Sequence, residues 1–142
     1  TVGWLGAYVH NTGKLAAIVE LACNTDFVAK NPEFQDLIRE LAIGVVAFNP
    51  KYASKDQVPA EIVAEEKKKY EGDVKGKPPQ IAEKILEGKM DKNLYAQVCL
   101  MSMPFPKEDI FKGTYGEFVK AKIAKLGENI VLRRFHRMEL GA

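Results

Sequence analysis

The sequence predicts an α+β fold in which a small antiparallel sheet packs with helices and a helical hairpin projects from the body. Three observations lead to this prediction. Two apolar segments near the start are joined by a short turn, one long segment has a continuous helical apolar stripe, and a charged middle segment is divided by glycine and proline. At 142 residues, 46% hydrophobic and 28% charged, the chain has the size and composition of one globular domain.

The sheet is predicted to begin with a hairpin. Residues Val2 to His10 and Leu15 to Cys23 have the apolar content of strands, and the turn Asn11-Thr12-Gly13 joins them. Because side chains alternate between the faces of a strand, both faces of the pair are apolar. One face has Leu5, Ala7 and Val9, and the other has Trp4 and Tyr8. Such a sheet has to be covered on both sides, by helices or by a second subunit.

A long helix is predicted to start at Pro32. Asn31 is a good N-cap, and Pro32 suits the first helical position, where its missing N–H is not needed. The helix should end at Phe48-Asn49-Pro50. Its apolar residues recur at the spacing of one helical face, which predicts a stripe packed on the core. They are Phe34, Leu37, Ile38, Leu41, Ala42, Val45 and Val46.

The middle of the chain is predicted to form an arm of two polar helices at about residues 59–92. One helix runs from Pro59 to about Val74, the other starts at Pro79, and Gly76-Lys77-Pro78 lies between them. Each helix has only a narrow apolar seam, as expected for an antiparallel, coiled-coil hairpin. At 1.5 Å per residue the arm would project by about 20 Å. We interpret its many Glu and Lys residues as a solvated face.

After the arm the chain is predicted to return to the body. Val98 to Phe105 is apolar but contains Pro104, which predicts an edge strand or an extended connector. Thr114 and Glu117 form a capping box that starts a helix, and Gly127 suits its C′ position. The inward residues of this helix are Phe118, Val119, Ile123 and Leu126.

The last strand, Ile130 to Leu140, is predicted to complete the antiparallel sheet. Strict alternation divides its apolar residues between two faces. Ile130, Leu132, Met138 and Leu140 share one face, while Val131 and Phe135 share the other. The two long helices shield only one face of such a sheet, so Trp4, Tyr8 or Phe135 would remain in water. We therefore predict a symmetric homodimer that buries this face.

The segment Cys23 to Lys30 connects the second strand to the long helix and has an unusual composition for a surface turn. It places Phe27 and Val28 beside Asp26. By spacing alone, the more common outcome is that Phe27 folds back onto the core, because most Phe residues are buried. The alternative is an exposed Asp-Phe pair that binds a partner, with Phe27 filling a pocket and Asp26 accepting hydrogen bonds.

Composition and motifs argue against several classes of function. No nucleophile motif, phosphate-binding loop or dinucleotide turn is present, and His10 and His136 lack the spacing of metal ligands. We expect no cofactor, no metal and no covalent catalysis, and therefore a binding module, not an enzyme. Cys23 and Cys99 fit buried thiols in a reducing compartment. A net charge of +2 does not predict obligatory nucleic acid binding, and no apolar run reaches a membrane span.

One basic cluster remains near the end of the chain. It consists of Arg133, Arg134, His136 and Arg137. One interpretation is a basic RNA-binding module that uses the last strand. We favour the other interpretation, charge pairing along a sheet edge or across a dimer contact, because only Phe135 is available for base stacking.

Three sequence blocks, in the same order, are similar to the elongation factor Ts family. Thr25-Asp26-Phe27-Val28-Ala29 resembles the family signature. Gly76-Lys77-Pro78 leads into Ile81 to Gly88, and Gly127-Glu128-Asn129-Ile130 is followed by Arg133-Arg134-Phe135. The resemblance covers nearly the whole chain, and it is strongest to the short, Thermus-type form with one core module that works as a dimer.

This resemblance implies a guanine-nucleotide exchange factor for the translational GTPase elongation factor Tu, acting in the cytoplasm as a homodimer. Asp26 and Phe27 would form a wedge that promotes GDP release near the Mg²⁺ and phosphate site. Thr25 and Val28 would shape the turn. His10, in the stretch Tyr8-Val9-His10, corresponds to a hairpin position that contacts the GTPase.

The resemblance also implies a domain organisation. Residues 1–142 would be a single core and dimerisation domain, with the arm at about 59–92 matching the coiled-coil protrusion of the family. The family normally begins with a small helical module that binds the GTPase, and nothing in this sequence matches that module. Met103 stands where the family usually has Gln before Pro-Phe.

Overall fold

The computed structural model describes all 142 residues and has the predicted α+β fold. Its sheet has three antiparallel strands in the order β1-β2-β3. These are β1 (Gly3–Val9), β2 (Leu15–Ala22) and β3 (Val131–Glu139). The first and last segments of the sequence therefore form one sheet, as predicted, and β2 lies in its centre.

The sheet has a covered inner face and an open outer face. On β2, Ala17, Val19 and Leu21 lie on the inner face and are buried. The outer face exposes large apolar side chains from all three strands. They include Leu5, Val9, Ile18 and Met138.

The open face is not the one predicted from the sequence. Tyr8 and Phe135, which were expected in water, lie on the inner face opposite Ala17 and Val19. Both are partly buried and pack against the core. Trp4 is also on the inner side but remains 44% exposed. The sheet therefore has one covered and one open face, as predicted, and Trp4 is exposed, but the prediction was wrong for Tyr8 and Phe135.

An irregularity in β3 explains part of this difference. Leu21 lies opposite Leu132 and Glu20 lies opposite Arg134, so Arg133 is an extra residue in the strand. Such a β-bulge breaks the strict alternation of side chains. As a result Leu132 and Phe135 share the inner face, and grouping Leu132 with Met138 was wrong because the bulge moves Met138 to the outer face.

Two helices follow the hairpin: the single turn α1 (Asp26–Ala29) and the long helix α2 (Pro32–Phe48). The side chain of Asn31 accepts a hydrogen bond from the Glu33 amide at 2.8 Å, which caps α2 as predicted. The left-handed conformation of Asn49 (φ 49°) ends it. All seven residues of the predicted apolar stripe are buried in the main core.

The approach of α2 to the sheet depends on Gly6 in β1. A Cβ atom at this position would lie only 1.9 Å from Cγ2 of Ile38. Because glycine has no Cβ, the helix can lie directly on the strand. This close packing fixes the direction in which α2, and the α1 turn before it, leave the sheet.

The arm region contains α3 (Ala60–Lys68), α4 (Glu71–Val74) and α5 (Pro79–Met90). The single helix predicted from Pro59 to Val74 is wrong, because the chain leaves helical geometry at Tyr70. There the Tyr70 hydroxyl donates to Glu66 at 2.7 Å and accepts from Asn93 at 2.8 Å. The helices are short and interrupted, so a coiled-coil geometry for this arm stays a prediction.

The base of the arm has a small core of its own. Helix α5 continues into a π-helical segment (Asp91–Tyr95) and then α6 (Ala96–Val98). Met90 and Leu94 from these segments are buried with residues that flank the arm, separately from the main core under the sheet. The buried residues of this second cluster are Val58, Met90, Leu94 and Cys99.

The return to the body ends in α7 (Tyr115–Leu126), which begins with the predicted capping box between Thr114 and Glu117. Before it, Leu100–Ser102 forms a 3₁₀ turn. The predicted strand or connector over 98–105 therefore has only isolated bridges, between Tyr52 and Cys99 and between Pro104 and Thr114. Phe118 and Val119 of α7 are buried in the main core.

Candidate functional site

The turn between β2 and α2, residues 24–28, presents one large apolar side chain to solvent. Phe27 is 85% exposed, and Asp26 beside it is exposed as well. The burial of Phe27 that spacing alone favoured is therefore wrong. An exposed side chain of this size on a short, ordered turn is typical of protein-binding surfaces. Burial of a single aromatic ring in a pocket of the partner contributes a large part of the binding free energy.

The opposite side of the same turn is anchored in the core. Val28 and Ala29, which follow Phe27, are 6% and 1% exposed. The side chain of Gln35, on α2, donates a hydrogen bond to the Ala29 carbonyl at 2.6 Å. In the helical turn α1 the side chains of Phe27 and Val28 diverge, so burying Val28 directs Phe27 away from the body.

A carboxylate from the far end of the sequence holds the start of the turn. Oε1 of Glu128 accepts hydrogen bonds from the amides of Asn24 and Thr25, both at 3.1 Å. Oε2 of Glu128 accepts from the Thr25 hydroxyl at 2.6 Å. The Thr25 oxygen in turn accepts from the Val28 amide at 3.3 Å and so caps α1.

The electrostatics of the turn favour an ionised Glu128. The hydrogen bond from the Thr25 side chain is the main cause that lowers the pKa of Glu128, and the amides of Asn24 and Thr25 act in the same direction. Cys23, at the end of β2, is buried, and this burial raises the pKa of its thiol. Its Sγ donates to the Thr25 carbonyl at 3.2 Å, so the thiol supports the turn and is not poised as a nucleophile.

His10 lies at the other end of the sheet. It follows β1 at the hairpin loop, whereas the turn follows the far end of β2. Eight residues of β2 separate the two places, which is about 25 Å at 3.3 Å per residue. The Nδ1 atom of His10 lies 2.9 Å from the Thr12 hydroxyl. The structure therefore brings Thr25, Asp26, Phe27 and Val28 together but does not bring His10 to them.

The basic cluster of β3 is largely engaged within the chain. Arg134 donates to Glu20 at 2.7 Å, and Nε of Arg133 lies 3.5 Å from the same carboxylate. Arg137 donates to the Val46 carbonyl at 3.2 Å and pairs with Glu139. This arrangement favours the interpretation of charge pairing along the sheet over RNA binding.

Sequence reasoning missed one residue of this site. Glu128 was part of the block that resembles the family, but no role was assigned to it. Its partners Asn24 and Thr25 are more than 100 positions away, and no local pattern predicts such a contact. The sequence offered one indication of such a role: Glu128 follows Gly127 directly, and a glycine at the end of a helix changes the direction of the chain.

Three other features of the chain bear on the kind of site that it could hold. No three His, Cys, Asp or Glu side chains are grouped as a metal site would require. The second thiol, Cys99, is also buried, and burial raises its pKa to about 11. None of the helices combines the length and the apolar content that crossing a membrane requires.

Comparison with known proteins gives a consistent result. Residues 2–112 match the family model described as "Elongation factor TS". The chain is 41% identical over 140 residues to the elongation factor Ts of Thermodesulfovibrio yellowstonii, covering 98% of this chain and 68% of that protein. Similar matches, also at 41% identity, are the elongation factors Ts of Coprothermobacter proteolyticus (98% and 70% covered) and Geobacter sulfurreducens (99% and 65% covered).

Proposed function

This chain belongs to the elongation factor Ts family, and on that basis we propose that it is a guanine-nucleotide exchange factor for the translational GTPase elongation factor Tu. The chain binds the GTPase and promotes release of GDP. Exchange makes and breaks no covalent bond, so the chain acts as a binding factor and not as an enzyme. We expect it to act in the cytoplasm, where translation takes place.

The mechanism is one of thermodynamic linkage. A partner that binds the nucleotide-free GTPase more tightly than the loaded form must weaken nucleotide binding by the same factor. GTPases hold the nucleotide through backbone amides around the phosphates and through a Mg²⁺ ion. An apolar wedge inserted beside the ion would displace its surroundings and loosen the phosphates.

Phe27 is the residue that we propose as this wedge. The observation that supports it is the 85% exposure of Phe27 on a turn whose next residue, Val28, is anchored in the core. A free aromatic ring on a fixed backbone loses little conformational entropy when it enters a pocket. Asp26, exposed beside it, would accept hydrogen bonds from the displaced segment of the GTPase, and Thr25 and Val28 would hold the turn.

His10 has a separate role in this proposal. Because it lies about 25 Å from the turn, it belongs to a second contact with the GTPase, at the hairpin end of the sheet. Two contacts at opposite ends of one sheet would hold the GTPase in a fixed orientation while Phe27 enters it.

The test is the rate of GDP release from purified elongation factor Tu, with and without this chain. We expect the chain to accelerate release, and Phe27→Ala to reduce the acceleration by about 30-fold, the factor that corresponds to the ~2 kcal/mol of an aromatic hot spot. Ile110→Ala is the matched control, since Ile110 is also exposed (57%) but lies in a loop far along the chain.

Two results would contradict the proposal in different ways. No acceleration by the unaltered chain would exclude exchange activity towards this GTPase. Acceleration that is equally strong with Phe27→Ala and with Ile110→Ala would keep the activity but remove Phe27 from it. Binding to RNA, the alternative function, would show a steep loss of affinity between 50 and 200 mM salt, unlike an apolar contact.

We also propose that a second copy of the chain covers the outer sheet face. The exposed apolar residues there come from all three strands, which gives a continuous surface that a two-fold axis can pair with itself. Light scattering at micromolar concentration should give a mass near twice 15.8 kDa. Met138→Lys, which places a charge on this face, should shift the mass towards one chain, and a monomeric unaltered chain would refute the dimer.

A further inference from the structure

We propose that Glu128 is the positioning residue of the exchange wedge. Its carboxylate holds the turn of residues 24–28 in the conformation that directs Phe27 into solvent. This inference rests on the proposed exchange function, but it concerns a residue that does not itself have to touch the GTPase. It predicts that Glu128 affects exchange through the side chains that the turn presents, above all through Phe27.

Glu128 makes several strong contacts to the start of the turn. Both oxygens of Glu128 are used, by two successive backbone amides and by the Thr25 hydroxyl. Hydrogen bonds to a charged acceptor are about twice as strong as neutral ones. Three of them on one carboxylate fix the position and the direction of the two residues that precede α1.

The contacts of Glu128 continue through Thr25 towards Phe27. The Thr25 hydroxyl donates its proton to Glu128 and accepts from the amide of Val28. The chain of donors therefore runs from Val28 through Thr25 to Glu128, and Phe27 lies within the loop that it closes. Chains of this kind strengthen each member, so the loss of the carboxylate should loosen the Thr25 cap as well.

Glu128 itself lies directly after a helix that is anchored in the core. Helix α7, which precedes it, is held in the core by Phe118 and Val119. Gly127 then adopts a left-handed conformation (φ 75°) and ends the helix. This glycine turns the chain so that Glu128 faces the turn before β3 begins at Val131.

The need for such a residue follows from the exposure of Phe27. A side chain that is 85% exposed contributes little to holding its own backbone. Without Glu128 the amides of Asn24 and Thr25 would lose their acceptor. The start of the turn would then depend on the Cys23 thiol contact, the Thr25 cap, the hydrogen bond from the Ala29 amide to the Thr25 carbonyl, and the packing of Val28. A wedge that has to be ordered on binding loses affinity in proportion to the entropy of ordering.

A merely structural role for Glu128 has to be separated from a positioning role. The measurement is a double-mutant cycle on GDP release from elongation factor Tu, with Glu128→Ala, Phe27→Ala and both together. We expect Glu128→Ala alone to slow the accelerated release by about tenfold, as expected for a lost charge-assisted hydrogen bond. In the Phe27→Ala background the same change should have at most about a twofold effect.

Two further variants complete the experiment. Glu128→Gln can still accept from both amides but cannot accept from the Thr25 hydroxyl, so it should restore part of the rate. If Glu128→Ala does not fold, Glu128→Gln takes its place in the double-mutant cycle. Glu108→Gln removes a carboxylate from an exposed loop and should leave the rate unchanged. Amide hydrogen exchange at Asn24, Thr25 and Val28 should be faster in Glu128→Ala.

The outcomes distinguish the two proposals. If Phe27→Ala slows release but Glu128→Ala does not, or if the two effects multiply, Glu128 is not a positioning residue and the exchange function stands. Unchanged amide exchange in the turn would equally overturn the role of Glu128. If Phe27→Ala does not slow release, the wedge itself is wrong and the positioning role is overturned with it.

Discussion

Phe27 and Val28 are neighbours in sequence that lie in opposite environments, so shortening each to alanine should change a different property. Phe27 is 85% exposed and Val28 is 6% exposed. The pair offers an internal comparison, because both substitutions act on the same turn and both remove only carbon atoms. We expect Val28→Ala to lower the free energy of unfolding and Phe27→Ala to leave it nearly unchanged.

The magnitudes follow from the burial. Complete burial of a Phe side chain is worth up to about 3 kcal/mol, and only a small part of Phe27 is shielded, so Phe27→Ala should cost at most about 0.5 kcal/mol. Val28→Ala removes two buried methyl groups at about 0.8 kcal/mol each and leaves a small cavity, so it should cost about 2 kcal/mol. At about 3–4 °C per kcal/mol, the melting temperature should fall by about 6–8 °C for Val28→Ala and by less than about 2 °C for Phe27→Ala.

Urea unfolding followed by circular dichroism measures both costs, with thermal unfolding as a second probe. If Phe27→Ala destabilises the chain as much as Val28→Ala does, Phe27 belongs to the core and is not a free wedge. Equal and small effects would instead show that the turn is not anchored by Val28. A homodimer makes the melting temperature depend on concentration, so all variants have to be compared at one concentration.

Three other expectations concern the rest of the fold. Gly44→Ala should lower the melting temperature, because a Cβ at this position would lie 2.6 Å from the Tyr115 hydroxyl. Gly88→Ala should raise the free energy of unfolding by about 0.5–1 kcal/mol, because a Cβ at this position meets no other atom. A destabilising Gly88→Ala with a harmless Gly44→Ala would contradict the packing of α2 on α7. Replacing Glu61 to Lys89 by a short Gly/Ser linker should preserve cooperative unfolding, because the arm has few residues in the main core. Loss of a single unfolding transition in this variant would show that the arm belongs to the core. Hydrogen bonds lower the pKa of several carboxylates in the folded state, namely those of Glu33, Glu66, Glu117 and Glu128. The unfolded chain binds these protons more readily, so the stability that the four carboxylates contribute is present above about pH 4.3 and should be lost as the pH falls through their lower folded-state pKa values. Measuring the free energy of unfolding as a function of acid pH tests this loss. A free energy of unfolding that stays constant below about pH 4.3 would contradict it.

Elements with local signals could be predicted from the sequence. The bounds and the buried stripe of α2 were right because its cap, its first-position proline and its periodicity all lie within the helix itself. The capping box and the terminal glycine of α7 were right for the same reason. Such signals depend on neighbours within a few residues, so one sequence is sufficient to find them.

Features that depend on distant contacts could not be predicted in this way. The bulge at Arg133 has no mark in its own sequence and appears only in the register with β2. At the break in the arm Tyr70 accepts a hydrogen bond from Asn93, and the turn that presents Phe27 donates hydrogen bonds to Glu128. Neither partner is a close neighbour in the sequence. Spacing alone favoured a buried Phe27, and only the resemblance of the surrounding residues to a family favoured exposure.

The bulge in β3 also determines where this strand tolerates a change in length. Because Arg133 is the unpaired residue, its deletion would restore a regular ladder, with Leu132 still opposite Leu21 and Arg134 still opposite Glu20. Removal of one residue beyond the bulge, such as His136, would instead exchange the inward and outward side chains of everything that follows. Among related chains, insertions and deletions in this strand should therefore concentrate at the bulge. A related chain whose last strand is one residue shorter, with the same inward and outward side chains, should lack the bulged residue.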